Sequence, residues 1–428
     1  MDNYVLLNSF KMKRLILLLA VVSMSIAATA AGKKMATRAT IDGISYMLNA
    51  KKEHAVVVKN LQQPYLGDIV IPERIEVDSV TFYVEEIAAG AFADCSGMTS
   101  VALPRTITKI GSGAFRGCSS LQHFEFPDKI TEIPNNLFTG CSGLTEVVMP
   151  SKLRKMGTAV FRGCKSLEVF VFPNSVTKVP NETFADCSNL KDVTLPLGVS
   201  AIGSEAFYRC SSLETIALPA SITSIGSEAF RECVSLRELE LPRSLTVIPN
   251  DMVRGCASLS RVTMPNSIKA VGNDAFNDCT SLDSISLPNS IKKMGSSIFE
   301  GCVSLRSVNI PLSIKKLPSS FLRRCSGLKE IRLPNSLNAI NSNAFSGCTG
   351  LTSITLPVSI KNIGSNAFDD CTGLLRVMVE GATPPKIASN AFDKVTQKEG
   401  VLYVRSSHVS NYESDKQWGK FVSIGTMK

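Results

Sequence analysis

Histidine occurs three times and tryptophan once in 428 residues, too few for a histidine-rich metal centre or an aromatic stacking platform. No C-x-x-C pair is present, which removes the common zinc and redox signatures. Lysine and arginine exceed aspartate and glutamate to a net charge of +9. They are scattered among hydroxyl and apolar residues, so no basic tract points to a dedicated nucleic-acid binder. No later stretch matches the one apolar run near the start, and that run, Leu15 to Ala28, is short of the ~20 residues a spanning helix needs. What the chain does have is 44% hydrophobic and 19% charged residues, enough to bury a core and too apolar for disorder.

The first residues read as an address. Lys11, Lys13 and Arg14 precede the unbroken apolar run Leu15 to Val22, and Ala28-Thr29-Ala30 fits the A-x-A processing rule. Residues 1–31 are therefore expected to be a secretory signal peptide, with Met12 as an alternative start to Met1. The first cysteine is Cys95, so lipid attachment to a processed N-terminal cysteine is not expected. The mature chain is read as secreted or displayed at the cell surface, without a transmembrane segment.

The cysteines number thirteen and fall at 95, 118, 141 and onward to 371 with every gap equal to 23 residues. With cysteine as position 0, position 3 is leucine in every repeat except at Met98, and position 9 is proline from Pro104 to Pro357. Positions 6, 8, 12 and 15 are apolar, and position 20 is phenylalanine in ten of the twelve full repeats. A fixed period of this length signals a solenoid, in which each unit is too small to bury its own apolar face and is covered by its neighbours. Positions 5 to 8 alternate outward and inward, as in Thr215-Ile216-Ala217-Leu218, which predicts a short parallel strand ended by the proline. Position 17 is Ser, Asn or Thr throughout, predicting the cap of a short helical turn that carries Ala-Phe inward. Position 16 is glycine or proline in all but one repeat; because proline cannot be left-handed, the glycines there are expected to serve close packing. An odd number of evenly spaced cysteines forms no closed disulfide framework, so buried free thiols are expected.

The string Ala229-Phe230-Arg231-Glu232-Cys233-Val234-Ser235-Leu236, with Leu239-Glu240-Leu241-Pro242 and Leu245-Thr246-Val247-Ile248 after it, closely resembles the BspA-type leucine-rich repeat of bacterial surface proteins. The resemblance covers residues 87–393 and slips by one residue only at Ala391-Phe392. It implies an α/β repeat solenoid: a right-handed leucine-rich-repeat superhelix of 23-residue rungs with a parallel β-sheet on the concave face, short helical turns and β-rich terminal caps. It also implies exposure outside the cell, with some members implicated in adhesion to host matrix proteins and in coaggregation of bacteria. The expected division is an N-terminal β-rich cap over 32–86, the solenoid over 87–393 and a C-terminal cap over 394–428. Strand candidates in the first cap are Ile44–Leu48, His54–Val58, Asp68–Ile71 and Thr81–Val84.

Candidate sites lie on the outside. Outward positions 4, 5 and 7 vary while inward ones do not, and in the second to seventh repeats they include Glu125, Glu146, Glu168, Asp192, Glu214, Glu238 and Glu240. This predicts an acidic strip with an apolar centre at Val148, Val169 and Val171 on the concave sheet face, where a protein or glycan macromolecule would bind. His123 sits beside Glu125 on the same face; with Ser100 it would form at most an incomplete hydrolase set, since no oxyanion motif accompanies it. A second candidate is a basic ladder of Lys269, Lys292, Lys315 and Lys361 at position 13, joined by Lys293 and Lys316 at position 14. It either meets an acidic polymer or glycan or is a solvated ridge guarding an exposed sheet edge. No cofactor, metal, nucleic acid or catalytic residue is expected. The function read from the sequence is a non-enzymatic interaction solenoid, an adhesin for host extracellular-matrix proteins or other bacterial cells; the alternative is a structural or glycan-associated envelope protein.

Overall fold

Residues 37–427 are described by a computed structural model; the expected signal peptide lies outside them. The 23-residue period sets the architecture directly, because each turn of chain lays a rung on the preceding one with identical positions in register. The predicted strand forms at positions 5 to 7: Glu146-Val147-Val148 pairs in parallel with His123-Phe124-Glu125, and Val169-Phe170-Val171 with Asp192-Val193-Thr194. Their middle residues point into the core and their flanks outward, as in the exposed-buried-exposed patterns of His123–Glu125 and Val169–Val171. The proline at position 9 ends the strand, and its carbonyl accepts a hydrogen bond from the amide three residues on, as Ile107 N donates to Pro104 O at 3.2 Å.

A second strand ladder, absent from the sequence reading, runs through positions 14 and 15. Lys178–Val179 pairs with Ala201–Ile202, which pairs with Ser224–Ile225. Each of these strands holds only two residues, so there is no alternation to detect. The aliphatic residues at 12 and 15 are its only trace.

The expected helical turn is replaced by a chain of tight turns. Among the described residues, α-helix occurs only in the C-terminal unit. The turns from position 16 to position 0 are closed by bonds three residues apart, such as Ala93 N to Gly90 O and Cys95 N to Phe92 O. Two positions in every repeat, 18 and 22, have positive φ: 18 runs from Gly90 to Asn366 and 22 from Asp94 to Asp370. These left-handed residues turn their amides toward the next rung, where Asn136 N donates to Thr158 O and Gly140 N to Arg162 O. That ladder gives backbone amides a partner on a side of the molecule where no sheet forms. Position 17 does not cap a helix; its asparagine side chain spans rungs, Asn135 Oδ1 accepting from Thr158 N at 2.8 Å and Asn181 Oδ1 from Ser204 N at 3.0 Å. The glycines at position 16 behave as expected: a Cβ on Gly226 would stand 2.3 Å from Ser204 N.

The core is a set of columns. Phe92, Phe115, Phe138, Phe161, Phe184, Phe207 and Phe230 stack ring on ring, with centroids 5.2 to 5.9 Å apart. Such pairs add ~0.5–1.5 kcal/mol each beyond the burial of the rings. Val253 interrupts the column, and Met252 beside it, where most repeats have alanine, is fully buried. The thirteen cysteines are free and buried. From Cys118 onward each Sγ donates to the carbonyl of position 20 in the preceding rung, at 3.0 to 3.3 Å. The repeated sulfur is therefore more than a small hydrophobe: it is a weak donor that ties neighbouring turns.

Both ends of the stack are covered. Strands β1 (Thr37–Ile41), β2 (Ile44–Asn49) and β3 (His54–Val57) form an antiparallel meander, and β5 (Arg74–Val77) pairs with β6 (Val80–Ile87). Strand β6 continues into the second ladder through Lys109–Ile110, while β4 (Gly67–Val70) continues the first through β7 (Met98–Ala102). The Tyr65 ring lies 4.7 Å from that of Phe92, closing the aromatic column. At the other end the one-residue slip is absorbed before Phe392, which still stacks on Phe368 at 4.9 Å. Helices α1 (Lys394–Glu399) and α2 (Val409–Glu413) and the strands Val401–Arg405 and Ser423–Met427 complete the unit. Trp418 Nε1 donates to Pro385 O and Tyr412 Oη to Gly381 O, each at 2.8 Å, and Asn411 Nδ2 to Ala382 O at 3.1 Å, which ties the irregular Gly381–Pro385 segment to the C-terminal unit.

Candidate functional site

Stacking in register turns each outward position into a column. Along position 5 run Ser100, His123, Glu146, Val169 and Asp192, and along position 7 run Ala102, Glu125, Val148, Val171 and Thr194. Val148, Val169 and Val171 are 44%, 54% and 60% exposed. They form a contiguous apolar patch because Val169 and Val171 share one strand and Val148 occupies the preceding rung. Glu125 and Glu146 border the patch on one side and Asp192 on the other. Beneath it Phe124, Phe126, Phe170 and Phe172 are buried in the core, so the patch rests on a rigid aromatic floor.

The strip is less acidic than composition alone implies, because a 23-residue spacing brings opposite charges together as readily as like ones. His123 Nδ1 lies 3.2 Å from Glu146 Oε2, Lys191 Nζ 2.8 Å from Glu168 Oε2 and Arg237 Nη2 3.3 Å from Glu214 Oε2. Along position 4 the order Glu168, Lys191, Glu214, Arg237 alternates in sign. Glu125, Asp192, Glu238 and Glu240 are exposed and form no ion pair among the described residues. Exposed pairs of this kind contribute ~0–1 kcal/mol each, so they set the surface pattern more than the stability.

Ser100 does not complete a hydrolase set. Its hydroxyl donates to Asp68 Oδ1 at 2.7 Å, as does that of Thr99, while His123 is occupied by Glu146. The sequence pattern predicts a strand holding Asp68 but does not define its register. Asp68 opposes Ser100 and Val70 opposes Ala102, so the N-terminal unit adds a carboxylate and a 69% exposed valine to the same two columns.

The six lysines of the basic ladder, Lys269, Lys292, Lys293, Lys315, Lys316 and Lys361, are all exposed. They lie on the second strand ladder, not on the face that carries the valines. Lys293 opposes Ala270 and Lys316 opposes Ala339. The strands that hold Lys293 and Lys316 are the facing end strands of two neighbouring sheets of that ladder.

A sequence model of the BspA type leucine rich repeat region matches in six copies between residues 73 and 406. A solved leucine rich cell surface protein from Faecalibacterium prausnitzii A2-165 is 27% identical, over 82% of this chain and 96% of that one, with a TM-score of 0.58. A solved leucine-rich repeat protein from Bacteroides ovatus ATCC 8483 is 25% identical, over 91% of this chain and 99% of that one, with a TM-score of 0.69. No curated protein matches the chain. Among the described residues no helix is long and apolar enough to cross a membrane.

Proposed function

The chain belongs to the BspA-type leucine-rich repeat family, and from that premise we propose that it is a non-enzymatic adhesin, exported to the cell surface or beyond, that captures a protein ligand on its sheet face. The observation that carries this reading is the exposed patch of Val148, Val169 and Val171. An apolar patch with a polar rim on a rigid support is the usual form of an interaction site, and a regular solenoid presents it without any cost of ordering a loop. His123, Glu125, Glu146, Asp192 and Glu214 would form the rim, selecting a partner with complementary charge. The similar Faecalibacterium protein is described as a cell surface protein, in keeping with display outside the cell. Host extracellular-matrix proteins and the surfaces of other bacteria are the partner classes to test.

The test is capture of the purified chain by immobilised matrix proteins and by intact bacterial cells, compared with a Val169→Ser/Val171→Ser variant. The variant should lose capture by about tenfold or more while its melting temperature stays close to the parent's, because both side chains already face water. Undiminished capture by the variant would remove this face from consideration.

A further inference from the structure

At several places on the surface the rung spacing pairs opposite charges. Lys109 meets Glu86, Lys191 meets Glu168, Arg209 meets Glu232 and Arg323 meets Glu300, each a neighbour one rung away. Among the described residues the lysine ladder has no such partners. Positions 10 to 17 lack aspartate and glutamate in eleven of the twelve full repeats, among them the five successive rungs of residues 266–273, 289–296, 312–319, 335–342 and 358–365. They do contain Lys269, Lys292, Lys293, Lys315, Lys316 and Lys361, none of which has a carboxylate within 4.0 Å among the described residues. Like charges one strand spacing apart, ~4.8 Å, lie well inside the ~8 Å screening length of physiological salt. They repel one another unless an anion lies over them.

The strip runs into a groove of ≈ 420 Å³ whose polar lining is Ser319, Asn341, Ser342, Asn362 and Lys386. The two are continuous: Asn362 follows Lys361 in the chain and is opposed in the next rung by Lys386. Asn341 stands at position 16, where every other full repeat has glycine or proline. Amide and hydroxyl groups beside a row of ammonium groups match the hydroxyls and acidic substituents of a sugar chain. We infer that this strip and groove bind a linear acidic polysaccharide, bearing uronate or sulfate groups, laid along the solenoid axis so that successive sugars meet successive rungs. An extended pyranose chain advances by about one strand spacing per sugar. Nucleic acid fits less well, because the five windows contain no aromatic side chain on which an unpaired base would stack.

Calorimetric titration of the intact protein with a heparin decasaccharide tests the assignment, with neutral dextran, duplex DNA and anionic lipid vesicles as comparison probes. Binding should weaken steeply as salt is raised, dextran should not bind, and the decasaccharide should be preferred over DNA and vesicles at matched charge. A Lys292→Ser/Lys293→Ser/Lys315→Ser/Lys316→Ser variant should bind on the order of 30-fold more weakly or worse, and Asn341→Gly should weaken binding severalfold. Lys109→Ser/Lys155→Ser/Lys178→Ser, which removes charge elsewhere on the same ladder, should leave binding unchanged. No measurable binding, salt-independent binding, equal binding to DNA or vesicles, or an unaffected four-lysine variant would each overturn the proposal. The Val169→Ser/Val171→Ser variant should retain polysaccharide binding, which separates failure here from failure of the sheet-face reading.

Discussion

Raising the pH from 7 to 10 under reducing conditions is expected to unfold the solenoid. Ten thiols, from Cys164 to Cys371 at every rung, are buried almost out of solvent, and that burial pushes each above its ordinary value of 9.0. Cys233 and Cys348 are pushed up to about 12. A thiol held in its neutral form by folding stays protonated in the native state while its unfolded counterpart ionises above pH 9. The native state then binds more protons than the unfolded one, so stability is intact below about pH 9 and declines as the pH rises beyond it. At pH 10 each such thiol costs about 1.4 kcal/mol, and ten of them about 14 kcal/mol, the scale of a whole domain's stability. Because solenoid stability is nearly a sum over rungs and their interfaces, even partial unfolding carries about 1.4 kcal/mol for each turn released. Urea denaturation followed by circular dichroism at pH 7, 8, 9 and 10 measures the decline. A Cys233→Ala/Cys256→Ala variant should show a slope between pH 9 and 10 shallower by about 1.5 protons. Stability that is unchanged to pH 10, or a variant slope equal to the parent's, would refute the account of the thiol column.

Three further outcomes follow from the packing. Val253→Phe should destabilise by about 1–3 kcal/mol because Met252 already fills the space, and Met252→Ala/Val253→Phe should recover most of that loss in urea denaturation by restoring the pattern of the other rungs. Glu205 has φ +55° and lies near Glu182 and Glu228, whose charges add to burial in raising its carboxyl above the ordinary range; Glu205→Gly should stabilise by about 1 kcal/mol, seen as a higher melting temperature. Gly226→Ala should cost about 1–3 kcal/mol, since its Cβ would meet the backbone of the rung below at 2.3 Å, whereas Gly198→Ala, with nothing within 4 Å, should be close to neutral.

The sequence carried the rung length, the first strand and the columns of Cys, Leu and Phe, because inward positions tolerate few side chains and repeat visibly. The second ladder escaped because a strand such as Ala201–Ile202 is shorter than one alternation. The position-17 asparagines were misread for a physical reason: a side-chain oxygen one residue before a turn suits a helix cap and an inter-rung bond equally, and only the neighbouring rung decides. The left-handed positions were partly legible, since position 22 is glycine at Gly117, Gly140, Gly163, Gly255, Gly301 and Gly347. Position 18 hid them, because it carries Glu182, Glu205, Glu228, Asp251 and Asp274 with positive φ as well. The surface was the least legible part, because composition lists charges without saying that Lys191 lies against Glu168 or that Lys292 has no such neighbour.

The inter-rung bonds of the turn side from thiols and left-handed amides are the same at almost every step, and asparagine oxygens add to them at four. Any turn therefore presents the next one with an interchangeable seat. In-frame loss or duplication of a single unit in the middle of the array leaves every bond type intact and changes only the reach of the protein and the choice of side chains on display. Such a chain can lengthen, shorten or exchange its outward columns by recombination between its own repeats, so that its interior is held constant while its exterior is free to diversify.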